Sequence, residues 1–426
     1  MSAAAQPAAG VALPRAAVNA KLIALISSAA VAFAVFTTGF VVVEPAPYEL
    51  VLAVLMPVWA LFGLRISRTV APMAALLVLF VIGGMISMTQ LKELGDIPLY
   101  ITVTLFLALT GVFFAALLES RPDLYGLIFW AWTAAAIATS ALGIAGYFGA
   151  FPGGMFTLYD RAAGAFKDPN VFGPFLVLPA TFMLQKILAG RSAAMPLYIA
   201  ILLFLSAGVF FSFSRGAWGL YAFSAVMLTG ALYLQSNSNL FRLRILMMSV
   251  VAAAALVIAL VVALQLPGVA DIFSERAQLA QSYDTARLGR FARFAIGFQM
   301  AMEHPLGIGP LEFGQMLGED THNIWLKALL DYSWLGFAAY LTLIALTVGG
   351  GFRILFRDRP WQPWLLVAYI VFVGHVLVGT VIDTNHWRHF YLMLGMIWGA
   401  MALEARHQRQ AARRPAPPPA RSRRVT

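Results

Sequence analysis

The sequence predicts an all-α protein, a polytopic transmembrane helical bundle, and three observations lead there. Of the 426 residues, 61% are apolar and only 11% charged, where a soluble domain carries about 25% charged residues. The mean hydropathy is +0.81. Apolar runs of about 20 residues, the length that crosses a ~30 Å hydrocarbon core, recur along the whole chain. Ended by charge, Pro or Gly, these runs are Leu22 to Val43, Pro47 to Leu64, Thr69 to Met88, Ile97 to Leu118, Leu124 to Phe148 and Val171 to Leu188 in the first half. The second half adds Met195 to Phe213, Gly216 to Leu234, Ile245 to Leu264, Ile324 to Val348, Trp361 to Ile382 and Trp387 to Leu403, about twelve spans in all.

Alternating the connections between two sides tests this count, because cytoplasmic loops hold the Lys and Arg excess. One side receives 19 of the 29 basic residues and only 4 of the 19 acids. An even number of spans puts both termini on that basic side, so both are expected to be cytoplasmic. Seven arginines between Arg406 and Arg424 follow the last run; the net charge of +10 therefore describes a membrane anchor, with lipids and not nucleic acid as its partner. Residues 1–21, Ala-rich and without a cleavage pattern, and 413–426, the Pro-rich end of a basic cytoplasmic tail 404–426, cannot build a core and are expected to be disordered. The membrane domain is then 22–403. The absence of cysteine excludes disulfide frameworks, thiolate metal sites and cysteine nucleophiles.

The longest connection, 265–323, lies on the outer side. Within it Leu288, Phe291, Ala295, Phe298 and Met302 follow helical spacing with Arg287, Arg290 and Arg293 interleaved, which describes an amphipathic helix on the membrane surface. Pro305 ends it, and Gly307 to Gly314 forms a glycine-rich return to the membrane.

The outer cations cluster at span ends: Arg161 and Lys167, Arg215, then Arg287, Arg290 and Arg293, and Arg388. Singly, each is explained by pairing with an acid or by reaching the headgroups. Jointly, several guanidiniums at one face suit a diphosphate, whose oxygens the planar fork binds two at a time. Arg215 has little room to wander, since Phe213-Ser-Arg-Gly216 is the whole link between two runs. His322, in Glu319-Asp-Thr-His-Asn323, is the histidine best placed to take a proton from a hydroxyl, although an interfacial histidine at a helix start needs no such role. His375 sits inside a span, and His386 and His389 flank Arg388 near Asp383 as a polar cluster. No Gly-x-x-x-x-Gly-Lys-Ser/Thr loop, His-Glu-x-x-His or Gly-x-Ser-x-Gly occurs, which removes support for ATP-driven and familiar hydrolytic chemistry.

Four segments in order, Arg161-Ala-Ala-Gly-Ala-Phe-Lys-Asp-Pro-Asn-Val-Phe-Gly173, Ser212-Phe-Ser-Arg-Gly216, Arg290 ahead of His304-Pro-Leu-Gly-Ile-Gly309, and His322-Asn323 followed by Gly336, resemble the O-antigen ligase and polymerase family of bacterial inner-membrane glycosyltransferases. Phe294 departs from the pattern, where the family has a tryptophan. The resemblance implies a multi-pass inner-membrane enzyme with its site facing the periplasm. An acceptor hydroxyl there attacks a glycan carried on undecaprenyl diphosphate, and undecaprenyl diphosphate leaves. It implies that Arg215 and Arg290 hold the diphosphate, that His322 is the base or orients the acceptor, and that Arg161 is a further donor-binding cation; Lys167, Arg287 and Arg388 complete the expected substrate-binding set.

No cofactor is implied. Glu319 and Asp320 make a hard-cation site conceivable, but neighbouring loop residues supply few converging ligands, so no metal is expected. The acceptor is lipid A core sugar for a ligase and a growing lipid-linked glycan for a polymerase, and the sequence does not separate them. A twelve-span transporter is the alternative from another class, disfavoured by the short middle connection 189–194 and the lack of an internal repeat.

Overall fold

The computed structural model describes residues 15–190, 193–266, 268–278 and 289–413, with side chains described from residue 19. Arg287 and Leu288, residues 1–14 of the expected N-terminal tail and 414–426 of the expected C-terminal tail lie outside the described residues. Each predicted run is helical. In order they are α1 (Arg15–Thr37), α2 (Pro47–Leu61), α3 (Ala71–Met88), α4 (Ile97–Ser120), α5 (Leu124–Tyr147), α6 (Pro169–Ala189), α7 (Met195–Phe211), α8 (Arg215–Gln235) and α9 (Asn239–Ala263). The long connection holds α10 (Val269–Arg276), α11 (Arg290–Glu303) and α12 (Glu312–Leu317), and α13 (Ile324–Ile354), α14 (Gln362–Val378) and α15 (Arg388–Ala412) follow.

Among the described residues eight helices, α1, α3 to α6, α8, α9 and α13, are long and apolar enough to cross a membrane; α2, α7 and α14 are shorter apolar helices. The chain is thus a polytopic helical membrane protein. Both helical tails reach further than the apolar runs: α1 starts at Arg15 and α15 continues to Ala412. Residues 404–412 are mostly Glu, Ala, Arg and Gln, good helix formers even in water.

Prolines mark the starts. Six helices, α2, α3, α4, α6, α7 and α14, carry Pro in their first two positions, where its missing amide has no partner to lose. Side-chain caps add to this at α6, α9 and α13: Asp168 accepts from the Asn170 amide at 2.7 Å, Ser238 from Phe241 at 3.3 Å, and Asn323 from Trp325 and Leu326 at 2.9 and 3.2 Å.

The bundle closes through glycine. A Cβ on Gly395 of α15 would lie 2.6 Å from the Gly111 carbonyl of α4, and one on Gly83 of α3 would lie 2.6 Å from the Gly336 amide of α13. Small residues let helix backbones approach where lipid supplies no hydrophobic drive. Of the eight long apolar helices α6 is the most enclosed and α9 the least, with Ile245 its buried residue.

Two local features depart from the expected plain helices. The 149–170 connection contains a two-stranded antiparallel hairpin, Thr157–Leu158 with Arg161–Ala162. Tyr159 and Asp160 turn it with φ of 51° and 55°, both in the left-handed region that tight hairpins require. α13 is also not one continuous helix, since Ser333 at φ 61°, ψ 173° breaks it into an N-terminal piece of just over two turns and a long C-terminal piece. The break leaves the Leu330 carbonyl to accept from the Ile308 amide at 2.9 Å and the Ser87 hydroxyl at 3.0 Å, and the Trp334 amide donates to Pro305 O at 3.0 Å. Interrupted backbone at membrane depth is tolerated where protein groups satisfy it.

The expected amphipathic helix is α11. Its buried side is Arg293, Gly297 and Ala301, with Gly297 against Phe313 and Leu330. The apolar stripe points outward: Phe291, Phe298 and Met302 are 56%, 55% and 41% exposed. Arg293, expected on the polar side, is instead turned inward.

Candidate active site

The connections 44–46, 149–170, 212–215, 265–323 and 379–387 are tied together at one end of the bundle. The first of two packed units joins Arg161 to Ser212, 51 residues apart in sequence. Arg161, 5% exposed on the second hairpin strand, donates through Nε to the Ser212 carbonyl and through Nη2 to Asn170 Oδ1, both at 2.8 Å. Gly173 is required by closeness, because a Cβ there would lie 2.6 Å from the Ala217 side chain and 2.7 Å from Ser212 Oγ. Gly164 has φ 55° and backs onto Thr139, whose hydroxyl accepts the Ala165 amide at 2.8 Å. These contacts aim the start of α8. Arg215 is its first residue, following the cap Ser214, where the helix dipole already favours an anion. Its Nη1 donates to the Gln278 carbonyl at 3.1 Å.

The second unit carries His322. Arg290 is the first residue of α11, and one turn on Arg293 pairs with Glu319 at 2.5 Å. His322 has φ 50°, a conformation disfavoured for any residue with a side chain. Burial lowers its pKa and Arg290 lowers it further, with Asp320 and Glu319 pulling the other way. The imidazole is therefore neutral at pH 7 and able to accept a proton.

Below His322 lies Lys327, 2% exposed on the N-terminal piece of α13. It is paired with Asp320, with Asp331 at 3.0 Å and with Asp383 at 4.0 Å, and its ammonium stands 5.8 Å from the centre of the Tyr100 ring. Burial pushes the Asp320 carboxyl up, yet the charge and bond of Lys327 outweigh it and hold Asp320 below its ordinary value. For Asp383 burial wins over Lys327, raising it to about 6. Asn385 donates to the hydroxyls of Tyr100 at 2.7 Å and Tyr332 at 3.2 Å, and Thr104 links Tyr332 at 2.8 Å to His386 Nε2 at 2.9 Å. Burial and then Lys327 lower the His386 pKa to about 3.

The two units abut the same end of α14. A Cβ on Gly216, next to Arg215, would lie 3.6 Å from Val378. The Gly379 carbonyl accepts the Ile324 amide at 2.8 Å, and the Asp383 carboxyl faces the Asn323 amide. Arg215 and His322 thus flank one helix terminus.

Lys167 and Arg388 occupy a separate corner and share Glu44, at 3.2 and 3.4 Å. Arg388 is 7% exposed and also bonds Glu49 of α2. Burial raises the Glu44 pKa, but the bond from Lys167 and the charge of Arg388 bring it below normal. The expected polar cluster around Arg388 is split, since Asp383 and His386 turn toward Lys327 while His389 packs between Trp132, Phe175 and His375 inside the bundle.

Sequence reasoning passed over Lys327 and Asp331. The signal was present, a lysine and an aspartate four residues apart inside a span, a spacing that pairs on a helix. Among the described residues no group of three or more His, Cys, Asp or Glu is arranged to hold a metal ion.

No curated protein matches the chain. A family model described as O-antigen ligase matches residues 200–341, the stretch that carries Arg215, Arg290, His322 and Lys327. Over this third of the chain the protein is similar to the O-antigen ligase family, in keeping with its array of membrane-spanning helices.

Proposed function

We propose that the protein transfers a glycan from undecaprenyl diphosphate to an acceptor hydroxyl at the periplasmic face of the bacterial inner membrane, with lipid A core as the acceptor. The observation that carries this reading is His322, a half-buried histidine kept neutral in a loop beside Arg290, while the capped start of α8 with Arg215 abuts the same end of α14. The sparse basic count of the connections on this side supports their periplasmic location, with both termini cytoplasmic.

In the reaction the acceptor oxygen attacks the anomeric carbon and gives its proton to His322. The bond from that carbon to the diphosphate oxygen breaks, and the electron pair leaves with undecaprenyl diphosphate. Arg215 and Arg290 offset the charge that develops on the leaving oxygens. Arg161 acts one step back, since its guanidinium orients the Ser212–Arg215 turn. Lys167 and Arg388 belong to the neighbouring corner with Glu44, and Arg287, outside the described residues, is assigned to donor binding on the sequence alone. Arginines repel a cation, so the transfer proceeds without a divalent metal.

Deletion of the gene tests the reading by what accumulates on undecaprenol. Long polymer is expected for the ligase and single repeat units for the polymerase that shares the donor chemistry. Unchanged lipid-linked glycan overturns both and returns the transporter alternative.

A further inference from the structure

Lys327 carries a charge where charge is expensive. Its side chain is 3% exposed, so substrate does not reach it. Asp331 lies one helical turn away at 3.0 Å and would by itself neutralise the ammonium. Two further carboxylates, Asp320 and Asp383, nevertheless converge on it from separate segments, the loop before α13 and the connection after α14. Neutralisation does not require them.

What they hold is the backbone around His322. The second oxygen of Asp320 accepts the Thr321 amide at 2.7 Å, and the Asp383 carboxyl faces the Asn323 amide. The amide before His322 is therefore bonded to, and the amide after it faces, a carboxylate that Lys327 gathers. The residue between them keeps φ at 50°, which persists only when the surroundings over-determine it. The His322 side of the loop faces Arg290 and Arg293 from α11 as well as Glu319 and Asp320; the Lys327 side faces Asp331, Tyr100, Asp383 and Asp320.

We propose that Lys327 is a positioning residue for the transfer reaction, acting through Asp320 and Asp383 to hold His322 in its strained backbone conformation beside Arg290. The proposal rests on His322 being the base. It assigns Lys327 no contact with donor or acceptor, so its loss acts on turnover and leaves donor affinity in place.

The test is steady-state transfer by the full chain purified in detergent, with undecaprenyl-diphosphate-linked glycan as donor, over a range of pH. Lys327→Met, Lys327→Arg, Asp320→Asn and His322→Ala are compared with wild type. Misplacing a reacting group by about 1 Å lowers a rate about 100-fold, so Lys327→Met is expected to lose kcat on that order with donor KM within about twofold, and Lys327→Arg to recover part of the loss. Asp320→Asn leaves Lys327 with Asp331 and Asp383 and keeps the fold, so it carries the test where Lys327→Met does not fold. It is expected to lower kcat and to move the acid limb of the kcat profile to lower pH, because a carboxylate that favours the protonated His322 has gone. Wild-type kcat in Asp320→Asn overturns the proposal, as does a loss that tracks the folded fraction with an unchanged pH profile. An active His322→Ala overturns both this proposal and the reading beneath it; an inactive His322→Ala beside wild-type-like Asp320→Asn overturns this one alone.

Discussion

Replacing Arg388 by methionine separates a binding cation from a structural one. Arg388 starts α15, 7% exposed, with Nε on Glu49 and Nη2 3.4 Å from Glu44. Glu49 is 9% exposed, and its other oxygen takes the Ala46 amide at the start of α2. Methionine fills much of the arginine volume but leaves the Glu49 carboxylate buried with one amide. Stranding one member of a buried pair costs about 3–5 kcal/mol, a change of roughly 100-fold or more in the folding equilibrium. Removing the second charge as well restores most of it, since glutamine at 49 still accepts from Ala46. Arg388→Met/Glu49→Gln should therefore sit within about 1–2 kcal/mol of wild type. Unfolding of the purified protein by SDS in mixed micelles, followed by circular dichroism for the four members of the cycle, gives the coupling energy directly. A stable single mutant refutes the argument. So does a folded double mutant whose donor KM rises about tenfold, a loss of about 1.4 kcal/mol in binding, because Arg388 then touches the donor.

Arg215→Lys and Arg290→Lys each keep charge but lose the two-pronged contact, and transfer in detergent should drop about 100-fold with the protein still in the membrane; near-normal rates reduce either residue to a headgroup anchor. His322→Ala should lower transfer by about 100- to 10,000-fold. In the wild type, burial and Arg290 lower the His322 pKa, so the neutral base survives below its ordinary value of 6.5 and kcat falls only as pH drops through the lowered value; half-maximal turnover at or above that ordinary value contradicts this. Gly83→Ala sets a Cβ 2.6 Å from the Gly336 amide, a backbone atom that cannot rotate away, and should destabilise by about 1–3 kcal/mol in the same SDS assay, whereas Gly230→Ala meets nothing within 4 Å and should be neutral or stabilising by up to about 1 kcal/mol. Excess EDTA should leave transfer unchanged; activity lost and then restored by magnesium, manganese or calcium sinks the arginine-only mechanism.

The helices were legible because a span is a one-dimensional property, a length of apolar chain against a membrane of fixed thickness. Their order and starts follow from runs and prolines alone. The break at Ser333 is different in kind. Asp331-Tyr-Ser333 reads as an ordinary interruption of an apolar run, and what makes the break tolerable is the Ser87 hydroxyl and the Ile308 amide, supplied from other segments. The hairpin of Arg161 was hidden for a similar reason, since Tyr159-Asp160 is not among the Asn-Gly or Asp-Gly signals that announce tight turns.

At the candidate site the sequence located the charges and left their partners undetermined. Alternation of spans put Arg161, Arg215, Arg290, Arg293 and Arg388 at one end, but these five do unlike work once the acids are placed. Glu319 takes Arg293, while Glu49 and Glu44 take Arg388. Arg161 is spent on a carbonyl and an amide oxygen. Asp320, Asp331 and Asp383 converge on Lys327, a residue that charge counting placed on this side without giving it a role. The acids that a divalent ion would need, Glu319 and Asp320, are thus already matched to cations, and recruiting them to a metal would strand the buried Arg293 and take from the buried Lys327 one of its three carboxylates. Burial makes that exchange costly, which is the physical reason to expect a diphosphate here to be met by arginine.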